Sequence, residues 1–224
     1  MKNSQGRNTA ILLAILSILI VPPLTWFLIT RGHNNFRHLP VYGPAEVGVN
    51  GDTIYHAVPA FSFINQQGKA ITDKDFKNKI YVANFFYATC PRECPKMSDQ
   101  LERVQNAFIK DDQVRIISHT INPEHDSVQV LADYAKKYNA DPTKWWFVTG
   151  SKEAINSIAQ QGYYVEAAQG KNPDDFFHSQ QLILVDKDKH IRGFYDGLDA
   201  PSVDTLIDEI KVLELEYFAK ERKK

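Results

Sequence analysis

Apolar positions recur along this chain in three rhythms, and each predicts a different kind of element. The first is unbroken. From Thr9 to Thr30 no residue is charged and Ile and Leu dominate; these 22 residues match the roughly 20 needed to cross a bilayer core as a helix. Pro22 and Pro23 interrupt the run, but proline is tolerated in membrane helices. The second rhythm is short apolar runs of strand length. Ala60 to Ile64 and Ala70 to Thr72 flank Asn65-Gln66-Gln67-Gly68 and predict a β-hairpin. Ile80 to Tyr87 is apolar enough for a central strand covered on both sides. Val114 to Ile121 and Trp145 to Thr149 follow as further strands. Gln181 to Val185 and Ile191 to Tyr195 flank the charged turn Asp186 to Lys189 as a second hairpin.

The third rhythm is helical. Met97, Leu101, Val104, Phe108 and Ile109 fall on one face between Pro95 and Lys110, with Pro95 suited to a first turn. Asp126 to Tyr138 reads as a helix, as does Ser151 to Gln161 with Ser151 as its cap. Ser202 to Phe218 closes the chain as a helix, and Asp73 to Asn78 predicts a helical turn. Residues 33–50 are polar and hold Pro40, Gly43, Pro44 and Gly48, which predicts a tether with little structure of its own. The order is hairpin, then βαβαβα, then hairpin and helix. Such alternation predicts an α/β domain with a mixed sheet flanked by helices.

Charge sharpens the picture of the ends. The 224 residues carry a formal charge of −1, but residues 1–45 hold Lys2, Arg7, Arg31 and Arg37 and no acid. The rest is mildly acidic, which argues against nucleic acid as a partner. The basic end from Lys220 to Lys224 suits the negative pole of a closing helix. The apolar run is long for a cleaved signal peptide and no small-residue cleavage site follows it, so an uncleaved anchor is expected. Basic residues before and after the span are nearly balanced, and the free amino terminus tips the orientation to a cytoplasmic N-terminus.

The chain has two cysteines. Both lie in Thr89-Cys90-Pro91-Arg92-Glu93-Cys94-Pro95, between a predicted strand and a predicted helix. Two thiols four positions apart at a helix start lie one turn apart on one side. The pair suits a soft metal such as Cu(I), exchange with another disulfide, or a passive structural bridge. So short a loop gives modest entropic stabilisation, which counts against the last. Unpaired N–H groups at a helix start favour a thiolate. Of seven histidines, His33, His38, His56, His119, His125 and His190 are expected to fill surface or packing roles. His178 differs, because it directly precedes the apolar strand from Gln181 and so lies at the rim of the sheet.

Phe85-Phe86-Tyr87-Ala88-Thr89-Cys90-Pro91-Arg92-Glu93-Cys94-Pro95 resembles the strand-then-CPxxCP signature of the Sco/SenC family of copper proteins. Gly68-Lys69 with Ile71-Thr72 and Asp75-Phe76 is similar to that family's first hairpin. Ile121 to Asp126, Trp146 to Gly150, and Phe177-His178-Ser179 with Leu184 to Asp186 are similar to three further segments. Together they span about 58–215. The resemblance implies a thioredoxin-like fold with copper, Cu(I) or Cu(II), held by Cys90, Cys94 and His178. The imidazole needs a partner to orient it, which the sequence does not identify; Asp174, Asp175 and Asp126 are candidates only. Asn122 stands where the family often has an acid, and His125 where Arg is common.

On that resemblance the expected organisation is a cytoplasmic tail over 1–8, a transmembrane anchor over 9–30, a tether over 31–53 and a thioredoxin-like copper-binding domain over 54–224. The expected place is the inner membrane, with the domain facing the periplasm or another extracytoplasmic space. The expected role is a copper chaperone for the binuclear copper centre of cytochrome c oxidase, served by an upstream copper donor or a thiol reductant protein. The alternative is a thiol–disulfide oxidoreductase, not a classical enzyme, with Cys90 and Cys94 as redox pair and Cys90 the more exposed. A peroxiredoxin-like peroxidase is the weakest reading, because Thr89 and Arg92 do not fall in that pattern.

Overall fold

The computed structural model describes residues 4–31, 38–165, 167–169 and 176–222; for 4–12, 27–31, 167–169 and 176–178 it describes the backbone alone. The chain divides into two compact units, 1–37 and 38–224. In the first unit, α1 (Ser4–Arg31) is one continuous helix with Pro22 and Pro23 inside it, and it covers the expected 9–30 span. Among the described residues, no helix is long and apolar enough to cross a membrane. Side chains are described there only for 13–26, fewer than the roughly 20 residues a crossing helix needs.

The second unit opens with a short hairpin, β1 (Ala45–Val47) against β2 (Thr53–Tyr55). It lies where the polar composition predicted an unstructured tether. Its residues are exposed on both sides, so it carries no buried alternation for a sequence reading to detect. Gly51 in the connecting turn has φ +80°, a conformation favouring glycine. Ahead of it, Leu39 is buried, and Tyr42 bridges to Ile191.

Next come β3 (Ser62–Asn65), β4 (Ala70–Thr72), a 3₁₀ turn over Asp73–Phe76, β5 (Ile80–Phe86), α2 (Glu93–Ala107), β6 (Val114–Thr120), α3 (Val128–Lys137), β7 (Trp145–Thr149) and α4 (Lys152–Ser157). The chain ends with β8 (Ala167–Gln169), β9 (Phe176–His178), β10 (Gln181–Val185), β11 (Ile191–Asp196) and α5 (Ala200–Glu221). Seven strands form one sheet in the order β11-β10-β5-β6-β7-β3-β4. β5, β6 and β7 are parallel, and the pairs on either side are antiparallel. β8 and β9 form a separate hairpin inserted before β10.

Alternation along β5 explains the two cores. Ile80, Val82 and Phe86 face one side, where α2, α3 and α5 contribute Met97, Leu101, Leu131, Val203, Leu206 and Ile210. Tyr81, Ala83 and Phe85 face the other, under Ile155, Ile158 and Tyr163. A strand buried on both faces reads as a continuous apolar run, as β5 does. Its polar member, Asn84, accepts from the Ser118 hydroxyl at 2.6 Å, and Ser118 in turn accepts from Trp145 Nε1 at 2.8 Å. Caps start three helices: Ser127 for α3, Ser151 for α4 and Asp199 for α5.

Candidate metal and redox site

Cys90 and Cys94 sit where β5 leaves the sheet and α2 begins. The turn Tyr87–Cys90 is closed by the Cys90 N–H on the Tyr87 carbonyl at 3.1 Å. Neither cysteine is in a disulfide, and both are nearly withdrawn from solvent, with Cys90 6% exposed and Cys94 0%. The start of α2 explains how they interact. Its N-cap, Arg92, supplies no side-chain bond. Pro95, third in the helix, has no N–H to offer. The N–H of Cys94 donates instead to Cys90 Sγ at 3.2 Å. The sulfur therefore stands in for the missing cap. On its outer side Cys90 Sγ lies 3.9 Å from Glu93 Oε2, and Arg92 pairs with Glu93 at 3.8 Å.

The expectation that the helix start favours thiolates is corrected for Cys94. Burial pushes its thiol well up, reinforced by the hydrogen bond to Cys90 and the charges of Cys90 and Glu93, against an opposing bond with the Tyr87 backbone. Desolvation of the covered sulfur is the largest of these causes and outweighs the opposing Tyr87 bond. The Tyr87 phenol is pushed up to about 12, by burial first and then by the charge and hydrogen bond of Cys90. Tyr87 thus belongs to the site. Sequence reading passed over it as the end of an apolar strand, although its place three residues before Cys90 was the available signal.

His178 ends β9, in register with Ala167 of β8; its side chain lies outside the described residues, as do Asp174 and Asp175 entirely. The backbone still locates its segment. β10 runs antiparallel to β5, with Ile183 opposite Ala83 and Val185 opposite Tyr81. The start of β10 therefore lies at the edge where β5 ends, the edge that carries the cysteines. Gly197 makes the approach tight. Its N–H bonds the Gln180 carbonyl at 2.8 Å. A Cβ there would lie 2.9 Å from that oxygen and 3.1 Å from Met97 Cγ on α2. Gln180, two residues beyond His178, is thus separated from α2 by the width of a glycine.

Asp126 is wholly buried, and its oxygens are committed to Ala88, Thr120 and His125. Asn122 uses its backbone to turn the same loop, accepting from Asp126 N at 2.9 Å. Among the other histidines, His119 is fully buried against Phe61, Phe63, Phe85 and Tyr163, and neither ring nitrogen has a hydrogen-bond partner. His56 bonds Gly162 and Tyr164 at 2.9 Å each. Asp186, Asp188 and His190 also approach one another within 4.8 Å. Asp186 already holds Arg192 at 2.8 Å, and its other oxygen accepts the N–H groups of residues 188 and 190 at 2.9 Å, so its charge is spoken for.

The family model described as SCO1/SenC matches residues 51–213. A curated relative from Bacillus subtilis, a SCO1 protein homolog, is 27% identical over 162 residues, covering 71% of this chain and 84% of its own. The solved structure of BsSco, presented as a member of the Sco family of cytochrome c oxidase assembly proteins with a disulfide switch, superposes with TM-score 0.63 at 27% identity, covering 70% and 93%. Arabidopsis thaliana ScoI, solved with copper bound, superposes with TM-score 0.58 at 26% identity, covering 70% and 99%. The fold is the thioredoxin-like fold of these structures, and the strand, turn and helix carrying Cys90 and Cys94 lie within the matched span: the chain belongs to the SCO1/SenC family.

Proposed function

We propose that this protein is a copper chaperone that holds one copper ion as cargo on Cys90, Cys94 and His178 and delivers it to the copper-accepting subunit of cytochrome c oxidase. The observation that carries the reading is the pair of buried thiols, not joined in a disulfide and one helical turn apart, with Cys90 Sγ 3.2 Å from Cys94 N. Two soft sulfurs in a dry site suit Cu(I), and an added imidazole also accommodates Cu(II). The backbone approach of the β9–β10 segment to the cysteine edge supports His178 as third ligand. Copper-bound ScoI supports the cargo, and BsSco's place among cytochrome c oxidase assembly proteins supports the recipient. The same reading includes attachment to the inner membrane through 9–30, with the copper-binding domain in the periplasm. Its support is the uncharged run from Thr9 to Thr30.

A second reading, thiol–disulfide exchange that keeps the recipient's cysteines reduced, is favoured by the exposure difference between the two sulfurs. Cys90 is the more exposed and Cys94 is sealed and hard to ionise. Cys90 then attacks the recipient's disulfide and Cys94 resolves the mixed disulfide. The two readings separate in a His178→Ala variant. Chaperoning through a three-ligand site predicts weakened copper binding and a changed Cu(II) spectrum, whereas the oxidoreductase reading predicts that reduction of a partner disulfide is kept while copper is lost. Parent-like binding of Cu(I) and Cu(II) by that variant sinks the three-ligand site.

A further inference from the structure

We propose that Asp126 is a positioning residue for the cysteine pair: its buried carboxylate fastens the turn that carries Cys90. This deepens the proposed function and rests on Cys90 and Cys94 being the working pair. Asp126 is 0% exposed and belongs to the loop after β6, not to the strand or helix that bears the thiols. Oδ2 crosses to that turn and accepts the Ala88 N–H at 3.0 Å. The same oxygen accepts the Thr120 hydroxyl, and Oδ1 lies 3.1 Å from His125 Nδ1. Thr120 Oγ1 also accepts the Asn122 N–H at 3.0 Å, which ties the loop to the end of β6.

Ala88 is the first central residue of the turn that the Cys90 N–H closes on Tyr87. The carboxylate therefore holds the peptide two residues before the outer thiol. A buried carboxylate is costly unless its partners are well placed. One of these reaches across 38 positions of sequence to the cysteine turn. Holding that turn keeps Cys90 Sγ against the start of α2, near Cys94. Such preorganisation raises the effective concentration of one sulfur at the other. The same geometric constraint favours closing a disulfide and chelating Cu(I), so losing it weakens both together.

The test uses the full chain with Asp126→Ala, Asp126→Asn and a control, Leu131→Ala, in the core under α3. Three quantities are read: the dithiol–disulfide equilibrium with glutathione, Cu(I) affinity against a competing chelator, and thermal stability. Asp126→Ala is expected to lower the disulfide-forming equilibrium constant about tenfold, a shift of about 30 mV for a two-electron couple, and to weaken Cu(I) by a similar factor. Asp126→Asn is expected to stay within threefold of the parent, because its amide oxygen can still accept from Ala88. Leu131→Ala is expected to lose stability with the equilibrium constant unmoved. If Asp126→Ala does not fold, Thr120→Val/Asp126→Ala removes the buried hydroxyl as well and is read the same way. An alanine variant within threefold of the parent overturns the proposal. So does an Asn variant that behaves like the alanine one, since charge rather than the bond to Ala88 would then be acting. The glutathione equilibrium needs no copper, so a parent that fails to bind copper defeats the proposed function while this test still stands.

Discussion

At the residue scale, the contrast between Cys94 and His119 shows how burial decides chemistry on the two faces of one sheet. Cys94 is sealed with a hydrogen-bonded neighbour, and its thiol becomes a reluctant acid that favours metal or disulfide over free thiolate. His119 is sealed with no partner for either ring nitrogen, and burial pushes its pKa down to about 3. The folded protein thus keeps His119 neutral while the unfolded chain binds a proton below about 6.5. Stability from this residue is present above that value and is lost as pH falls towards 3, by up to about 1.4 kcal/mol per pH unit. Denaturant unfolding of His119→Phe and parent between pH 7 and 4 is expected to show a gap that widens in favour of the variant by about that slope. A gap independent of pH contradicts it. Residue identity alone made Cys90 and Cys94 the candidates for the proposed site. It could not reveal His119's isolation, because a histidine ending a strand reads alike whether it faces water or a cage of aromatic rings.

At the element scale, α2 starts without an oxygen cap, unlike α3, α4 and α5. With Pro95 lacking an N–H, a hydroxyl placed at the N-cap finds the N–H of Cys94, the group Cys90 Sγ now holds. Arg92→Ser is therefore expected to stabilise the helix by roughly 0.5–1 kcal/mol while competing with the sulfur. Thermal unfolding should rise and Cu(I) affinity should fall. A rise in both shows that the cap and the sulfur do not compete. Strands and helices were legible because β5 and α2 carry strong periodic patterns, and Trp145 to Thr149 coincides with β7. β1 and β2 were not, because three-residue strands exposed on both faces bury nothing that a pattern could report. The turn at Tyr87–Cys90 was legible as a junction, but its fastening to Asp126 depends on a contact between distant loops.

At the scale of the whole domain, the chain entering at Leu39 is clamped far from the cysteine turn in sequence. Arg192 donates to the carbonyls of Leu39 and Pro40 at 2.6 and 3.0 Å, and pairs with Asp186 and Glu216 at 2.8 and 3.0 Å. Glu216 in turn accepts the Leu39 N–H at 2.8 Å. Arg192, Asp186 and Glu216 are all buried. Arg192→Met leaves the buried carboxylates of Asp186 and Glu216 without their guanidinium partner and is expected to cost about 3–5 kcal/mol. It should also open residues 38–40 to limited proteolysis under native conditions. An unchanged cleavage pattern with full stability rules the clamp out. The helix-spaced glutamate at 216 and the strand arginine at 192 gave no hint in sequence that they meet, since 24 positions separate them.

The most direct measurement is a titration of the reduced, anaerobic protein with Cu(I) against a competing chelator, run beside Cys90→Ala, Cys94→Ala and His178→Ala. The account predicts one tightly held copper per chain, lost in either cysteine variant and weakened in the histidine variant. A parent that cannot compete with the chelator, or one whose copper survives loss of either cysteine, contradicts it.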